Sequence, residues 1–520
     1  MTIESQLQSL LGAQAVITDS DELDCLSTDI FGGNRRAALA IRPDSGERLA
    51  AAVKLAGEAG YALVPRGGGL SYSGGYVPPH DRCIIVDTGA LDRIVSVDAG
   101  NMTITVEPGV TWRAIHEVLQ PLGLRLPFFG TFSGAGATVG GGLSNGALFM
   151  GSARHGTVAD IVLGMTVVLA SGETVHTGQG AHRHCVQPVQ RNYGPDFTGL
   201  FLHDSGAFGI KTQATLRLIR APEQHGFLSF SFDDIRAVAA CLSEAARSGA
   251  AEELYVFDPT SMKRRLEASD IQADLRALRK VVGAGGNLIK GLRDGAALVA
   301  GGKKFVDSVR FALHATCSGR SEAAVEADLG QLRRIAARHG GSEFVNSIPK
   351  AVRADPFPHV NGVIGMTGGR WVALNAMVSH DTGPQLVEAA EALIDSWRPR
   401  LDEHGIIVTR VMIAISTHIF LYEPVFHWTD SWLPVQRRAA QPRYLATLTE
   451  PAPNEAARAT AAGMRQEMIR LFDRFGAASV QLARTYPYLG ALRPATRALA
   501  TGAKALLDPR GVMNPGSLGL

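Results

Sequence analysis

An α+β chain of two domains is predicted by three observations. First, 520 residues exceed what one ordinary hydrophobic core serves. Second, up to about Ile219 short β-rich runs alternate with helical periods, the pattern of a mixed domain of sheet and helix. Third, from Gly226 onward strands and helices recur without glycine-rich loops, which suits a sheet covered on one side by helices. Ala221-Pro222-Glu223 marks the break between the two, and a long helix from about Arg458 carries the chain towards its end.

Along the first unit, 49–56 (LAAAVKLA) reads as a helix and 61–64 (YALV) as a short strand. That strand runs into VPRGGGLSYSGG (64–75). Glycines there let the chain take positive φ and bring successive N–H groups close to an oxyanion, while Ser71 and Ser73 add hydroxyl donors. Strands are expected at 83–87, 102–107, 161–170 and 214–219. A helix over 111–119 precedes a second glycine-rich segment, SGAGATVGGGLSNG (133–146). One such loop is an ordinary turn signal, but two in one domain suit a dinucleotide, whose phosphates, ribose and ring must be held at once. In the second unit, strands are expected at 227–232, 311–317 and 371–378, with helices at 235–248, 322–339 and 385–397.

Composition removes several function classes. With 51 basic against 49 acidic residues and a net charge of +2, the chain lacks the electrostatic footprint of a nucleic-acid binder. Five scattered cysteines without a CxxC pair suit reduced thiols, with no disulfide and no cysteine-bound metal expected. No stretch approaches the apolar length of a membrane span, and the first residues, MTIESQ, lack a basic region followed by an apolar one. A cytoplasmic location is the expectation. Residues 281–305, where apolar positions alternate with Lys290, Arg293, Lys303 and Lys304, are expected to form a cap helix or surface loop. Their many glycines argue against a helix lying in a membrane surface.

The motifs in their order resemble the FAD-binding flavoproteins of the vanillyl-alcohol oxidase type, which include D-lactate, glycolate and D-2-hydroxyglutarate dehydrogenases. Beyond the first loop, TVEPGV (105–110) is similar to the family's strand and turn, and ATVGGG (137–142) to its second flavin loop. Arg154-His155-Gly156 resembles its segment near the isoalloxazine ring. NYGPDFTGLF (192–201), GAFGIKT (206–212) and LDPRGVMNPG (507–516) resemble the stretches that close the FAD domain and end the chain. The resemblance implies an α+β fold with a two-subdomain FAD-binding domain over 1–222 and an α+β substrate (cap) domain over 223–457. Residues 458–520 would return to complete the FAD domain. It implies FAD held by Pro65, Arg66, Gly67, Gly68, Gly69, Leu70 and Ser71 of the first loop and by Gly109. From the second loop it implies Gly134, Thr138, Gly141, Gly142, Ser144 and Asn145, and beyond it His155, Gly156, Ile210 and Asn514. Some members tether FAD through a first-loop histidine; Leu70 stands there in this chain and forms no such link.

Two reactions stay open within this fold. A D-2-hydroxy acid would pass hydride to the flavin and lose its hydroxyl proton to a base. His418 and His427 are the candidates, on a segment (HIFLYEPVFH) that also carries Tyr422 and Glu423. On a strand His418 and Tyr422 share one face, Glu423 and His427 the other. Arg370, opening a strand, and Arg484, in RTYPY (484–488), are candidate clamps for a substrate carboxylate, and Arg484 also for charge near the flavin. The alternative is oxidation of a para-substituted phenolic alcohol in a pocket built by Tyr422, Trp428 and Trp432. Metal is not expected, because the segment lacks the glycine- and asparagine-rich histidine motif of metal-dependent relatives, and His182, His184 and Cys185 read as a solvated loop. GLSNG (142–146) fits the GxSxG of a serine hydrolase, but no buried strand leads into Ser144. Neither loop has the GxGxxG context of a nicotinamide-binding fold. The partners expected are a small-molecule substrate and an electron acceptor that is oxygen, a quinone or a redox protein, and a homodimer is compatible with the sequence.

Overall fold

The structure is a computed structural model that describes residues 1–33, 35–258, 260–261, 311–344 and 346–520; the segment 281–305 discussed above lies outside the described residues. Three larger sheets organise these residues, beside a two-stranded one of Leu124–Arg125 and Ile219–Arg220. The first has the order Val16–Ile17, Leu39–Ile41, Cys83–Asp87, Ala62–Arg66, with the last three strands parallel and the first antiparallel to its neighbour. Parallel strands need crossovers, and the helix Gly46–Glu58, capped by the Ser45 side chain, supplies one. It buries Leu49, Ala52, Val53 and Ala56, spaced to put one apolar stripe on the sheet. The C-terminal segment joins the same sheet: Leu63 N donates to Val512 O (2.7 Å) and Asn514 N to Leu63 O (2.8 Å).

The second sheet is five-stranded and antiparallel, in the order Ile94–Asp98, Thr103–Val106, Ile210–Arg217, Val162–Val168, Thr174–His176. The helix Trp112–Leu119 packs its buried Trp112, Ile115 and Leu119 beneath it.

The third sheet has eight strands, and its first long strand, Gln224–Phe232, starts two residues past Pro222. The order is Ser342–Glu343, Gln224–Phe232, Phe311–Gly319, Glu253–Phe257, Ile407–Ile415, Ile419–Trp428, Arg370–Ala373, with Ala376–Val378 also on Ile419–Trp428. All pairs are antiparallel. Helices Ile235–Ser248, Glu322–Arg338, Gly383–Glu403 and Glu455–Arg474 cover one face, where Val238, Leu242, Leu332, Leu386, Ile394, Met464 and Met468 meet Leu254, Val256, Leu313 and Phe420 in one core. The other face turns towards the five-stranded sheet: Tyr255, Phe257, Val411, Ile413, Leu421 and Val425 share a second core with Phe128, Phe149 and Leu143. The strand expected over 371–378 is interrupted at Leu374 and Asn375. There Asn375 turns its side chain to receive Val480 N (2.8 Å), and its carbonyl accepts from Ser479 Oγ (2.9 Å).

Candidate cofactor cleft and the sheet face beside it

Where the strand Ala62–Arg66 ends, the helix Val139–Asn145 begins and the strand Ile210–Arg217 starts lies a cleft open to solvent. Of the sequence-predicted cofactor residues, Pro65, Arg66, Gly67, Gly141, Ser144, Asn145 and Ile210 line it. Gly75, Tyr76, Thr88, Pro108, Gly140, Ser205, Gly206, Gly209 and Lys211 complete the wall. A Cβ added at Gly141 would meet only Thr138 Oγ1, at 3.4 Å, so the backbone there is bare towards the cleft. Arg66 is buried, and its Nε has no hydrogen-bond partner among the described residues. Lys211 Nζ, also buried, pairs with Asp204 Oδ1 at 2.5 Å. A groove walled by glycine backbone and by a buried guanidinium whose Nε has no acceptor has the chemistry of a phosphate site, and these residues fit a dinucleotide.

The other predicted residues of the loops do not line the cleft but hold the loops together. A Cβ on Gly68 would collide with the carbonyl of Gly136, and one on Gly67 would stand 2.5 Å from Thr138 Oγ1. Gly68 is therefore a contact between the two glycine-rich loops rather than open cradle. Gly69 takes φ +69° against the Arg66 guanidinium. Gly142 lies against the Trp112 ring, Gly109 against the Thr88 carbonyl and Gly134 against the Phe357 ring. Thr138 caps the helix Val139–Asn145. Leu70 packs with Ile30, Ile364 and Trp432, and Ser71 Oγ bonds Ser73 Oγ (2.8 Å) and Gln481 Oε1 (3.2 Å). Asn514 stands behind the wall, donating to Gly75 O (2.8 Å) and Ser205 O (2.6 Å). His155 and Gly156 lie elsewhere. His155 Nε2 sits 3.5 Å from Glu252, with Arg125 and Arg154 also near, where burial and then these cations bring its pKa down to about 3. Ser144 lies inside a helix, so the hydrolase elbow is missing.

The catalytic candidates are sorted by the sheet. His418 is exposed in the turn before Ile419–Trp428, outside the strand on which it was expected, so it does not share a buried face with Tyr422. Tyr422 faces the helices and donates to Glu391 Oε1 (3.2 Å), which pairs with Arg410. Trp428 lies in the same helix-side core and Trp432 in another cluster, so the expected Tyr422, Trp428 and Trp432 pocket does not form. Arg370 is no free clamp either: its Nε donates to Ser431 O (2.9 Å) and lies 3.5 Å from Asp430. Asp430, desolvated but bonded by Arg458, Asn454 and Trp428, has its pKa brought down to about 2. Arg484 is spent as a tie between the first loop and the C-terminus, donating to Gly74 O (2.5 Å), Val77 O (3.1 Å), Asn514 Oδ1 (2.6 Å) and Pro515 O (2.9 Å). Burial brings its pKa down to about 10. His427 is buried, with Nε2 at 3.0 Å from Thr409 Oγ1, and stands opposite Trp371 and Ile407 in register.

Around that face are residues that were not among the site candidates. Tyr72 of the first loop meets Trp371 at 5.3 Å between ring centroids, and Gln481 Nε2 donates to its hydroxyl (2.9 Å). Tyr486 accepts from Asn375 N (2.7 Å). Phe132, Phe149, Tyr255 and Phe257 form a chain of rings. His314 is fully buried against Ser229 Oγ (2.9 Å), and desolvation lowers its pKa to about 3. Tyr72 sat inside a motif already singled out; Gln481, Tyr255 and His314 carry no local signal. In the loop of His182 and His184, His184 N donates to His182 Nδ1 (3.2 Å), and no group of three or more metal-ligating side chains occurs among the described residues.

Residues 37–178 match the family model of an FAD binding domain. The mitochondrial D-lactate dehydrogenase [cytochrome] 1 of Saccharomyces cerevisiae is 28% identical over 238 residues, 45% of this chain and 39% of that protein. Glycolate oxidase subunit GlcD of Bacillus subtilis is 28% identical over 204 residues, 39% of this chain and 42% of that protein. The chain thus spans less than half the length of these curated relatives. Among solved structures, p-cresol methylhydroxylase with substrate bound superposes with a TM-score of 0.75 at 17% identity, covering 100% of this chain and 96% of that one. Alkyldihydroxyacetonephosphate synthase superposes with a TM-score of 0.69 at 15% identity, covering 99% and 85%. Residues 37–178 thus form an FAD binding domain, and the fold of the whole chain is the one p-cresol methylhydroxylase has.

Proposed function

We propose that this chain is an FAD-linked oxidoreductase that oxidises a small D-2-hydroxy acid to the 2-oxo acid. The observation that carries the reading is the likeness to proteins named D-lactate dehydrogenase and glycolate oxidase subunit, whose named compounds are both 2-hydroxy acids. Bound FAD supplies the hydride acceptor. The chain must then orient the substrate C–H and receive the hydroxyl proton. His427 is the candidate base, because it is buried, lies across from Trp371 and is oriented through Nε2 by Thr409. The rings of Tyr72 and Trp371 exclude water at the junction of cofactor loop and sheet.

Oxidation of a para-substituted phenolic alcohol is the second reading, supported by the aromatic side chains Tyr72, Trp371, Tyr255 and Phe257 near this face. No described helix is long and apolar enough to cross a membrane. The five cysteines, four of them buried, are all unpaired, which supports a reducing compartment such as the cytoplasm. Oxygen, a quinone or a redox protein would reoxidise the flavin, and a homodimer suits the reading equally. The test is anaerobic stopped-flow mixing with D-lactate, glycolate, D-2-hydroxyglutarate and a 4-hydroxybenzylic alcohol. Flavin bleaching by a hydroxy acid, suppressed in His427→Asn and retained in His418→Asn, is expected. Bleaching by the phenol alone overturns the reading.

A further inference from the structure

The helix Glu455–Arg474 buries Ala457, Ala461, Met464 and Met468 against the eight-stranded sheet. One charged residue is buried with them. Arg465 is only 4% exposed, and its guanidinium carbon lies 4.0 Å from the centroid of the Phe31 ring. Neither Nε nor Nη2 has a hydrogen-bond partner among the described residues. Those two nitrogens form one edge of the guanidinium, the edge that elsewhere in this chain grips both oxygens of a carboxylate. Arg36 holds Asp24 that way at 2.6 and 2.8 Å, and Arg458 holds Asp430 at 2.7 and 2.9 Å. In Arg465 the same fork is empty.

A buried guanidinium edge left without a hydrogen-bond acceptor is costly for a fold to carry. The ionisable groups facing Arg465 are Tyr486, Asp29 and Tyr72. Asp29 is already engaged by backbone N–H groups of Phe31 and Gly32 (2.9 Å each) and Gly74 (2.7 Å). Tyr72 and Tyr486 are neutral, since burial raises both phenols well above neutrality. An anion from outside the chain would complete the arrangement. Its place is set by Tyr72, which stands two residues past Leu70 in the first loop and meets Trp371 of the sheet face carrying His427.

We infer that Arg465, flanked by Tyr72 and Tyr486, forms the subsite that takes the carboxylate of the substrate, the role first expected of Arg370 or Arg484. The inference rests on the hydroxy-acid reading and adds the group that selects an acid over a neutral alcohol. A planar fork suits a carboxylate, and a lysine in its place would offer charge without the paired geometry. The other anion available at this junction is the reduced flavin ring, which carries negative charge but is not released with the substrate.

The test is binding of oxamate, a redox-inert analogue of a 2-oxo acid, to the FAD-loaded protein, read from the change it causes in the oxidised flavin spectrum. Arg465→Met, similar in length and apolar, should keep its FAD and weaken oxamate by at least about 30-fold, as expected for loss of two charge-assisted hydrogen bonds. Arg465→Lys should recover part of the loss, and Tyr72→Phe should weaken oxamate by about 3- to 10-fold. Unchanged oxamate affinity in Arg465→Met overturns the inference, as does an unchanged affinity with a shifted flavin reduction potential, which would turn Arg465 towards the ring. Should neither Arg465 variant yield holoprotein, Tyr72→Phe decides, and wild-type affinity in it overturns the subsite. If the unmodified protein binds no oxamate and is bleached by no hydroxy acid, the functional reading itself fails. Hydroxy-acid bleaching that persists with wild-type KM in Arg465→Met fails the subsite alone.

Discussion

Gly141→Val separates a cofactor wall from a folding contact, because the structure gives glycines of the two loops opposite surroundings. At Gly141 an added Cβ meets only Thr138 Oγ1 at 3.4 Å, an ordinary contact, and otherwise projects where the cleft is open. Gly141 also sits inside the helix Val139–Asn145, where glycine is about 0.5–1 kcal/mol worse than alanine. The apoprotein should therefore melt within a degree or two of wild type. The cofactor should suffer: a branched side chain projecting into the open cleft takes space a bound phosphate needs, and displacing it from two charge-assisted bonds at about 1.5–3 kcal/mol each is roughly a 10²- to 10⁴-fold loss in affinity. Gly68→Val is the control, since its Cβ would strike the Gly136 carbonyl and unseat one loop from the other. That variant should lose stability with or without FAD. The assay is flavin occupancy after gel filtration and FAD titration of apoprotein by fluorescence quenching, beside thermal melts of both forms. Wild-type FAD affinity in Gly141→Val would refute the assignment of this helix start as cofactor wall.

Two further outcomes follow from named side chains. FAD should be non-covalent as far as the first loop is concerned, because Leu70 is packed into an apolar cluster, so acid precipitation should leave all colour in the supernatant; a yellow pellet would point to a tether elsewhere. Asp29 should make stability fall as pH rises. Desolvation lifts its folded pKa to about 6 against the three backbone bonds, above the unfolded value near 4. The folded state therefore holds a proton between those limits that the unfolded state has lost, and the penalty, about 3 kcal/mol at most, is complete above pH 6. Asp29→Asn should thus gain on wild type between pH 4.5 and 7.5 in urea melts, and parallel pH profiles would contradict this.

What was legible in the sequence is what local backbone constraint dictates. The glycine loops could be found because backbone that another group must approach closely needs a glycine wherever the residue sits. Leu70 could be interpreted because its meaning depends on one position in one motif. Strand parity was equally local: Glu423 and His427 were separated from Tyr422 by alternation alone, and the register of Ile419–Trp428 keeps that separation. The start of that strand was not legible. Ser416 turns the chain at φ +50° with no glycine or asparagine to announce it, so His418 was counted as strand when it belongs to the hairpin turn.

Arginine roles were illegible for a different reason. A guanidinium is defined by what it meets, and here the partners are distant in sequence: Arg370 finds Ser431 and Asp430, Arg484 finds Gly74 and Asn514. Both were attractive clamps only while those partners were unknown. Arg465 presents the reverse case. In an isolated sequence it is one cation among several on a long helix, where an arginine ordinarily points to solvent. The tertiary fold folds Phe31 over it, leaves one edge of the fork bare and sets it beside the loop that carries Leu70 and Tyr72. A buried guanidinium edge to which the chain supplies no acceptor is therefore a better guide to a ligand than a charge that merely stands near a motif, because the fold tolerates the first only where something else completes it.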